Sequence, residues 1–141
     1  MELDSILVPT DGSKYTARAI DMAVMLAKLS GAKVTAVYVV DRAAASALYG
    51  SPEFDTVTEA LNHEGNLAVD EVRKACESAG VPVDTRILAG NPAEAINDAS
   101  KDFDMIVMSS IGRSGVSKYL IGSVAEKVVK GAKCPVTVIR F

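Results

Sequence analysis

Two short stretches carry residue types suited to holding a phosphorylated ligand. The first is Met105 to Val124, MIVMSSIGRSGVSKYLIGSV. Its apolar run, Met105 to Met108, breaks into Ser109 and Ser110; Gly112 follows, and after nine residues Gly122-Ser123 heads an amphipathic segment. Strand, glycine loop and helix start in that order let free backbone N–H groups and the positive end of a helix dipole converge on an anion. Gly112 lacks a Cβ, so its backbone can come close to a phosphate. The Ser123 hydroxyl and N–H can complete the cradle, and Arg113 and Lys118 can counter its charge. The second stretch is Pro9-Thr10-Asp11. Asp11 can accept hydrogen bonds from a ribose or help hold a phosphate-bound Mg²⁺.

Each residue also has a plainer role open to it. Asp11 can simply cap the turn into the first helix. Gly112 can serve a positive-φ turn, and Ser123 can be an N-cap and no more. Arg113 and Lys118 can be solvated surface charges. What distinguishes the two stretches is their combination, because ligands of open α/β sheets bind beyond the carboxyl ends of strands where the strand order reverses. If the strands preceding Asp11 and Gly112 are neighbours, both loops face one crevice.

The elements that must position them follow from hydrophobic patterning. Ser5 to Pro9 is a short apolar run of the kind buried on both faces of a parallel sheet. Ser13 is placed to cap a helix that turns Ala17, Ile20, Ala23, Val24 and Ala27 inward and ends near Gly31. Lys33 to Val40 is a second strand, and Asp41 to Asp55 reads as a loop or a frayed turn. A long helix is expected over Thr56 to Ala79, with Gly80 as its stop and Gly65 weakening its middle. Val81 to Leu88 is a third strand, which Pro82, Asp84 and Arg86 mark for an edge. Asn91-Pro92-Ala93-Glu94 starts a helix through Ala99. Met105 to Met108 is the fourth strand, Gly122 to Lys130 a helix and Pro135 to Ile139 the last strand. The alternation predicts one α/β domain over residues 1–141 around a parallel sheet.

Several function classes drop out. A hydrophobic share of 49% with 23% charged residues is globular. A net charge of −3 and the absence of Trp argue against nonspecific binding to nucleic acid or an anionic membrane. No apolar run approaches transmembrane length, no secretory signal pattern opens the sequence, and a cytoplasmic location is expected. Cys76 and Cys134 form no C-x-x-C pair and read as small buried hydrophobes, and His63 as a solvated helix residue. There is no G-x-x-x-x-G-K-[ST] and no G-x-G-x-x-G after the first strand, which disfavours a P-loop or a dinucleotide fold. With one histidine, no Ser–His–Asp or Cys–His set can be assembled, so no catalytic residue is named and any hydrolysis is expected to be slow or absent.

At this point the residues resemble a known family. ILVPTDGS at the start, YVVD closing the second strand, and SSIGRSGVSKYLIGSVAEKVVKGAKCPVTVI together resemble the universal stress protein family across essentially the whole chain. The resemblance implies an open five-stranded parallel sheet in the order 3-2-1-4-5 with helices on both faces, Rossmann-like and of the adenine-nucleotide alpha-hydrolase-like type. Its ATP-binding branch carries G-x2-G-x9-G-[ST], which Gly112, Gly122 and Ser123 match. By the same resemblance Pro9, Thr10 and Asp11 line the adenosine site with Asp11 near the ribose. Val39 packs on the adenine, Met108 and Val124 flank the pocket, and Gly112, Gly122 and Ser123 bind phosphates, with Ser109 and Arg113 in the same loop. The implied ligand is ATP, with Mg²⁺ or Mn²⁺ carried on its phosphates, or ADP or AMP. The implied partner is a second copy, joined through the strand over residues 135–139.

The departure is Ser109, which stands where the motif has its first glycine. A positive φ there costs a serine on the order of 1 kcal/mol. A Cβ crowding the nucleotide would cost ~1–3 kcal/mol, about 5- to 150-fold in affinity. Against that, the serine hydroxyl can donate to a phosphate. The expectation is therefore a nucleotide-binding regulatory protein of the stress response. The alternative is a nucleotide-free dimeric interaction module of the same family, and a flavin carrier is disfavoured by the scarcity of aromatics near the loops.

Overall fold

Five short β-branched or apolar runs form the centre of the molecule. The structure, a computed structural model, describes residues 2–41, 43, 50–112 and 119–141. Its strands are β1 (Ser5–Pro9), β2 (Lys33–Asp41), β3 (Val83–Gly90), β4 (Met105–Ser109) and β5 (Val136–Ile139). They make one parallel sheet in the order β3-β2-β1-β4-β5. The expected topology is therefore the observed one, with β1 and β4 side by side and β3 and β5 at the edges. Helices α1 (Ala17–Ser30), α2 (Phe54–Ser78), α3 (Pro92–Ala99) and α4 (Ser123–Gly131) accompany them, with 3₁₀ turns at Lys14–Thr16 and Ser100–Asp102.

Strand alternation divides the core into two layers. Ile6, Val8 and Val107 pack with Ala19, Ile20 and Ala23 of α1 and with Val69 and Val72 of α2. Leu7, Ile106 and Met108 face the other way, onto Ala93 and Ile96 of α3 and Ala125 and Val128 of α4. The N-terminal ends of β1 and β4 are pinned by Asp104, whose Oδ2 accepts from the Asp4 N–H at 2.9 Å and the Ser5 N–H at 3.0 Å. With that end fixed, the opposite ends of the same two strands open onto the loops of interest.

Local expectations held where a cap is strong and shifted where it is weak. The Asn91 side chain accepts from the Glu94 N–H at 3.1 Å with Pro92 at the first helical position, as the sequence asks. Ser13 does not cap α1. A short 3₁₀ turn, Lys14–Thr16, intervenes, and the Ser13 side chain makes no capping bond. The cause is that the Ser13 carbonyl is taken by both the N–H and the hydroxyl of Thr16, which tightens the turn. α2 begins at Phe54 rather than Thr56, and β3 starts at Val83, after Pro82. Gly65 does not break α2. A Cβ there would stand 2.7 Å from the Tyr38 ring, so the glycine lets the helix lie close on β2.

Candidate functional site

The first loop is built by its own side chains. Beyond β1, the Thr10 N–H donates to the Val37 carbonyl at 2.9 Å, which holds the loop to β2. Thr10 Oγ1 accepts from the Gly12 N–H at 3.1 Å, and Asp11 Oδ1 accepts from the Ser13 N–H at 2.9 Å. Gly12 takes φ 78°, a conformation that suits glycine. Asp11 thus does act in the turn, as its plainer reading allowed, through one carboxylate oxygen.

The other oxygen of Asp11 meets the glycine loop. A Cβ on Gly112 would lie 2.7 Å from Asp11 Oδ2. The two loops after β1 and β4 therefore touch, as the crevice argument required. Gly112 is not among the glycines at positive φ, so its part is close approach and not turn conformation. Gly122 is the N-cap of α4, and its N–H donates to the Ser110 carbonyl at 2.6 Å. Ser123 is consequently the first helical residue and not the cap, which corrects that reading. The Gly122 carbonyl accepts from the Glu126 N–H, leaving the N–H groups of Ser123, Val124 and Ala125 without an intrahelical acceptor. A helix start whose cap residue, Gly122, has no side chain to offer those N–H groups favours an anion.

Between the loops lies a cavity of about 310 Å³, at the lower end of the small-molecule range. Pro9, Thr10, Asp11, Val39, Met108, Ser109, Gly112, Gly122, Ser123 and Val124 all line it. Arg113, like Lys118, falls outside the described residues. Sequence reasoning missed Asp41 at the end of β2, Pro92 and Ile96 on α3, and Ser110. Asp41 was detectable, since it ends a strand neighbouring β1 and strand ends surround such sites. The α3 residues carry no chemistry that would single them out. Among the described lining residues the charged ones are both acidic, Asp11 and Asp41.

Ser109 resolves more simply than expected. It closes β4, paired with Ile139, and no described residue other than glycine has positive φ. The cost assigned to a left-handed serine therefore does not arise. Strand alternation sends its side chain to the face of Val107 and Ile139, away from that of Met108. Its Oγ accepts from the Ile111 N–H at 3.4 Å, inside the loop.

With this geometry in hand, comparison with known proteins is direct. The model of the universal stress protein family matches residues 2–140. This chain belongs to that family. Universal stress protein MJ0531 of Methanocaldococcus jannaschii is 39% identical over 137 residues, covering 96% of this chain and 81% of the relative. Among solved structures, universal stress protein UspA from Lactobacillus plantarum superposes with a TM-score of 0.82 at 32% identity, over 99% of each chain. The hypothetical protein MJ0577 superposes with a TM-score of 0.87 at 26% identity, over 100% of this chain and 98% of that one. Two further members were solved with adenine nucleotides. One is a universal stress protein in complex with cAMP, at 22% identity; the other is the Archaeoglobus fulgidus protein in complex with dAMP, at 23%. Each has a TM-score of 0.70 and shares the fold with this chain.

The remaining sequence readings sit away from the crevice. His63 is exposed on α2; Cys76 is buried, Cys134 half-buried, and both are free thiols. Burial pushes the Cys76 thiol up to about 11, helped by the nearby Glu77 charge. Among the described residues no helix is long and apolar enough to cross a membrane.

Proposed function

We propose that this chain, folded as a single domain, binds an adenine nucleotide in the crevice beyond β1 and β4. The observation that carries the reading is the meeting of three unlike parts around one cavity. The Asp11 loop supplies a carboxylate, Val39 and Met108 supply apolar walls, and Gly112 with Gly122-Ser123 supplies backbone and the N-terminal end of a helix. Asp11 accepts from the ribose hydroxyls, Val39, Met108 and Val124 pack against the base, and the amides of the α4 first turn take phosphate. The mononucleotides seen with two relatives support this chemistry.

ATP is the proposed physiological ligand, with ADP and AMP as related ligands. Because Asp11 and Asp41 line the cleft, a triphosphate is best accepted with Mg²⁺ or Mn²⁺ on its own oxygens. The proposed role is regulatory in the stress response, through binding and with slow or no hydrolysis, in the cytoplasm where free cysteines are usual. Calorimetry with ATP and Mg²⁺ tests the reading against an Asp11→Ala variant. Binding by the native chain that weakens in the variant is expected. No heat from ATP, ADP or AMP with the native chain contradicts it.

An interaction role for the same fold is favoured by the edge beside β5. There Tyr119 and Leu120, which share a surface hollow with Val138 and Arg140, are 81% and 60% exposed, and among the described residues no strand pairs with the outer edge of β5. We propose that β5 pairs with its symmetry mate in a homodimer, which removes an edge otherwise prone to aggregation. Sedimentation at micromolar concentration is expected to show a dimer; a monomer refutes this part.

A further inference from the structure

The carboxylate of Asp11 is only as well placed as the turn that follows it. Ser13 is held at both of its backbone groups. Its N–H donates to Asp11 Oδ1 at 2.9 Å, and its carbonyl accepts from the Thr16 N–H at 3.2 Å and the Thr16 hydroxyl at 2.6 Å. Thr16 in turn is buried and lines the cavity. A displacement of the Lys14–Thr16 turn therefore passes through Ser13 to the carboxylate.

Tyr15, in the middle of that turn, is braced from far along the chain. The Phe141 ring meets it with centroids 4.6 Å apart and planes at 89°, the edge-to-face arrangement that aromatic quadrupoles favour. Phe141 lies two residues beyond Ile139, which is fastened to the sheet by pairing with Ser109 and by accepting from the Ser110 N–H at 2.9 Å. Because β4 stands between β1 and β5, the ring pair reaches past the end of β4 and joins the outermost strand to the loop after β1. Neither ring lines the cavity.

We infer that Phe141 is a positioning residue for the crevice: its ring holds Tyr15, and through the Lys14–Thr16 turn it sets the Asp11 carboxylate where a ribose hydroxyl meets it. The inference rests on the nucleotide-binding reading above and extends it to a residue that touches no ligand.

Calorimetry with AMP and with adenosine, beside amide NMR of the ligand-free protein, tests it. An edge-to-face pair shifts an equilibrium about 2- to 12-fold beyond the effect of the apolar area it covers, and a less populated competent loop weakens a ligand by the same factor. Phe141→Leu keeps apolar bulk and loses the ring. It is expected to weaken AMP and adenosine equally, about 2- to 12-fold, since both carry the ribose that Asp11 meets. Phe141→Tyr keeps the ring and is expected to restore native affinity. Tyr15→Leu should match Phe141→Leu, and the double variant should lose no more than either. The amide signals of Gly12 and Ser13 should move in Phe141→Leu and return in Phe141→Tyr.

If the native chain binds both ligands, undiminished affinity in Phe141→Leu, a loss confined to AMP, or losses that add in the double variant overturn this inference alone. Unmoved Gly12 and Ser13 signals, or a loss that Phe141→Tyr fails to restore, do the same. If the native chain binds neither ligand, the nucleotide reading falls and this inference with it.

Discussion

Replacing Gly112 with alanine probes the contact that joins the two loops. The new Cβ would stand 2.7 Å from Asp11 Oδ2, too close to persist. The carboxylate is the mobile partner, but its other oxygen is held by the Ser13 N–H at 2.9 Å. Swinging it away breaks that bond, at a net cost of about 0.5–1.5 kcal/mol. Gly112 lies outside the left-handed region, so alanine adds no backbone strain, and its stiffer unfolded chain returns about 0.4–1 kcal/mol. The two nearly cancel. Stability should change by no more than about 1 kcal/mol, a melting shift within about 4 °C. Nucleotide affinity has no such compensation. A displaced Asp11 loses a charge-assisted bond to the ribose, worth about 1.5–3 kcal/mol or ~10- to 150-fold in affinity. Thermal melting of the ligand-free variant and calorimetry with AMP measure the two separately. An unchanged AMP affinity refutes the role given to Asp11. A stability loss above about 3 kcal/mol refutes the claim that the carboxylate yields.

Other perturbations test the frame that holds the site. The Asp104 carboxyl is held below the usual range, chiefly by the Asp4 N–H, against desolvation and with further help from the N–H and hydroxyl of Ser5. A depressed folded-state value stabilises above the ordinary carboxylate pKa and ceases to as pH falls through the folded value. Asp104→Asn should therefore lower the urea midpoint at neutral pH, with the gap to native closing in acid; a pH-independent gap counts against it. Asn91→Ala removes the α3 cap and should cost about 1 kcal/mol, roughly 3–5 °C in melting temperature, and Asn91→Asp should restore most of it. Gly65→Ala gains about 1 kcal/mol of helix propensity but forces the Tyr38 ring aside, an overpacking cost of about 1–3 kcal/mol. Net destabilisation is expected, and a more stable variant would show that β2 and α2 can part cheaply.

Much of this could be read from residue order because the relevant signals are local. Apolar runs such as Ser5–Pro9 and Met105–Met108 have few alternatives inside an α/β alternation, and Asn91-Pro92 names its helix start outright. What was misread depends on contacts between distant segments. Ser13 looks like a cap until the Thr16 hydroxyl is seen on its carbonyl. Gly65 looks like a helix weakness until Tyr38, distant in sequence, is seen against it. Ser109 looked like a flaw in part because a positive φ was expected at the first position of the motif. In a strand its alternation sends the side chain off the Met108 face, and that was derivable from the apolar run itself. Gly112 shows the reverse, since its role depends on Asp11, a hundred residues earlier in the chain.

The central claim is that an adenine nucleotide lies between the Asp11 loop and the start of α4. Amide NMR titration of the native protein with AMP tests it residue by residue. Saturating shifts concentrated at Gly112, Gly122, Ser123 and Val124, with smaller ones at Thr10 and Asp11, are the result expected. Shifts centred elsewhere, or none at millimolar AMP, would contradict it.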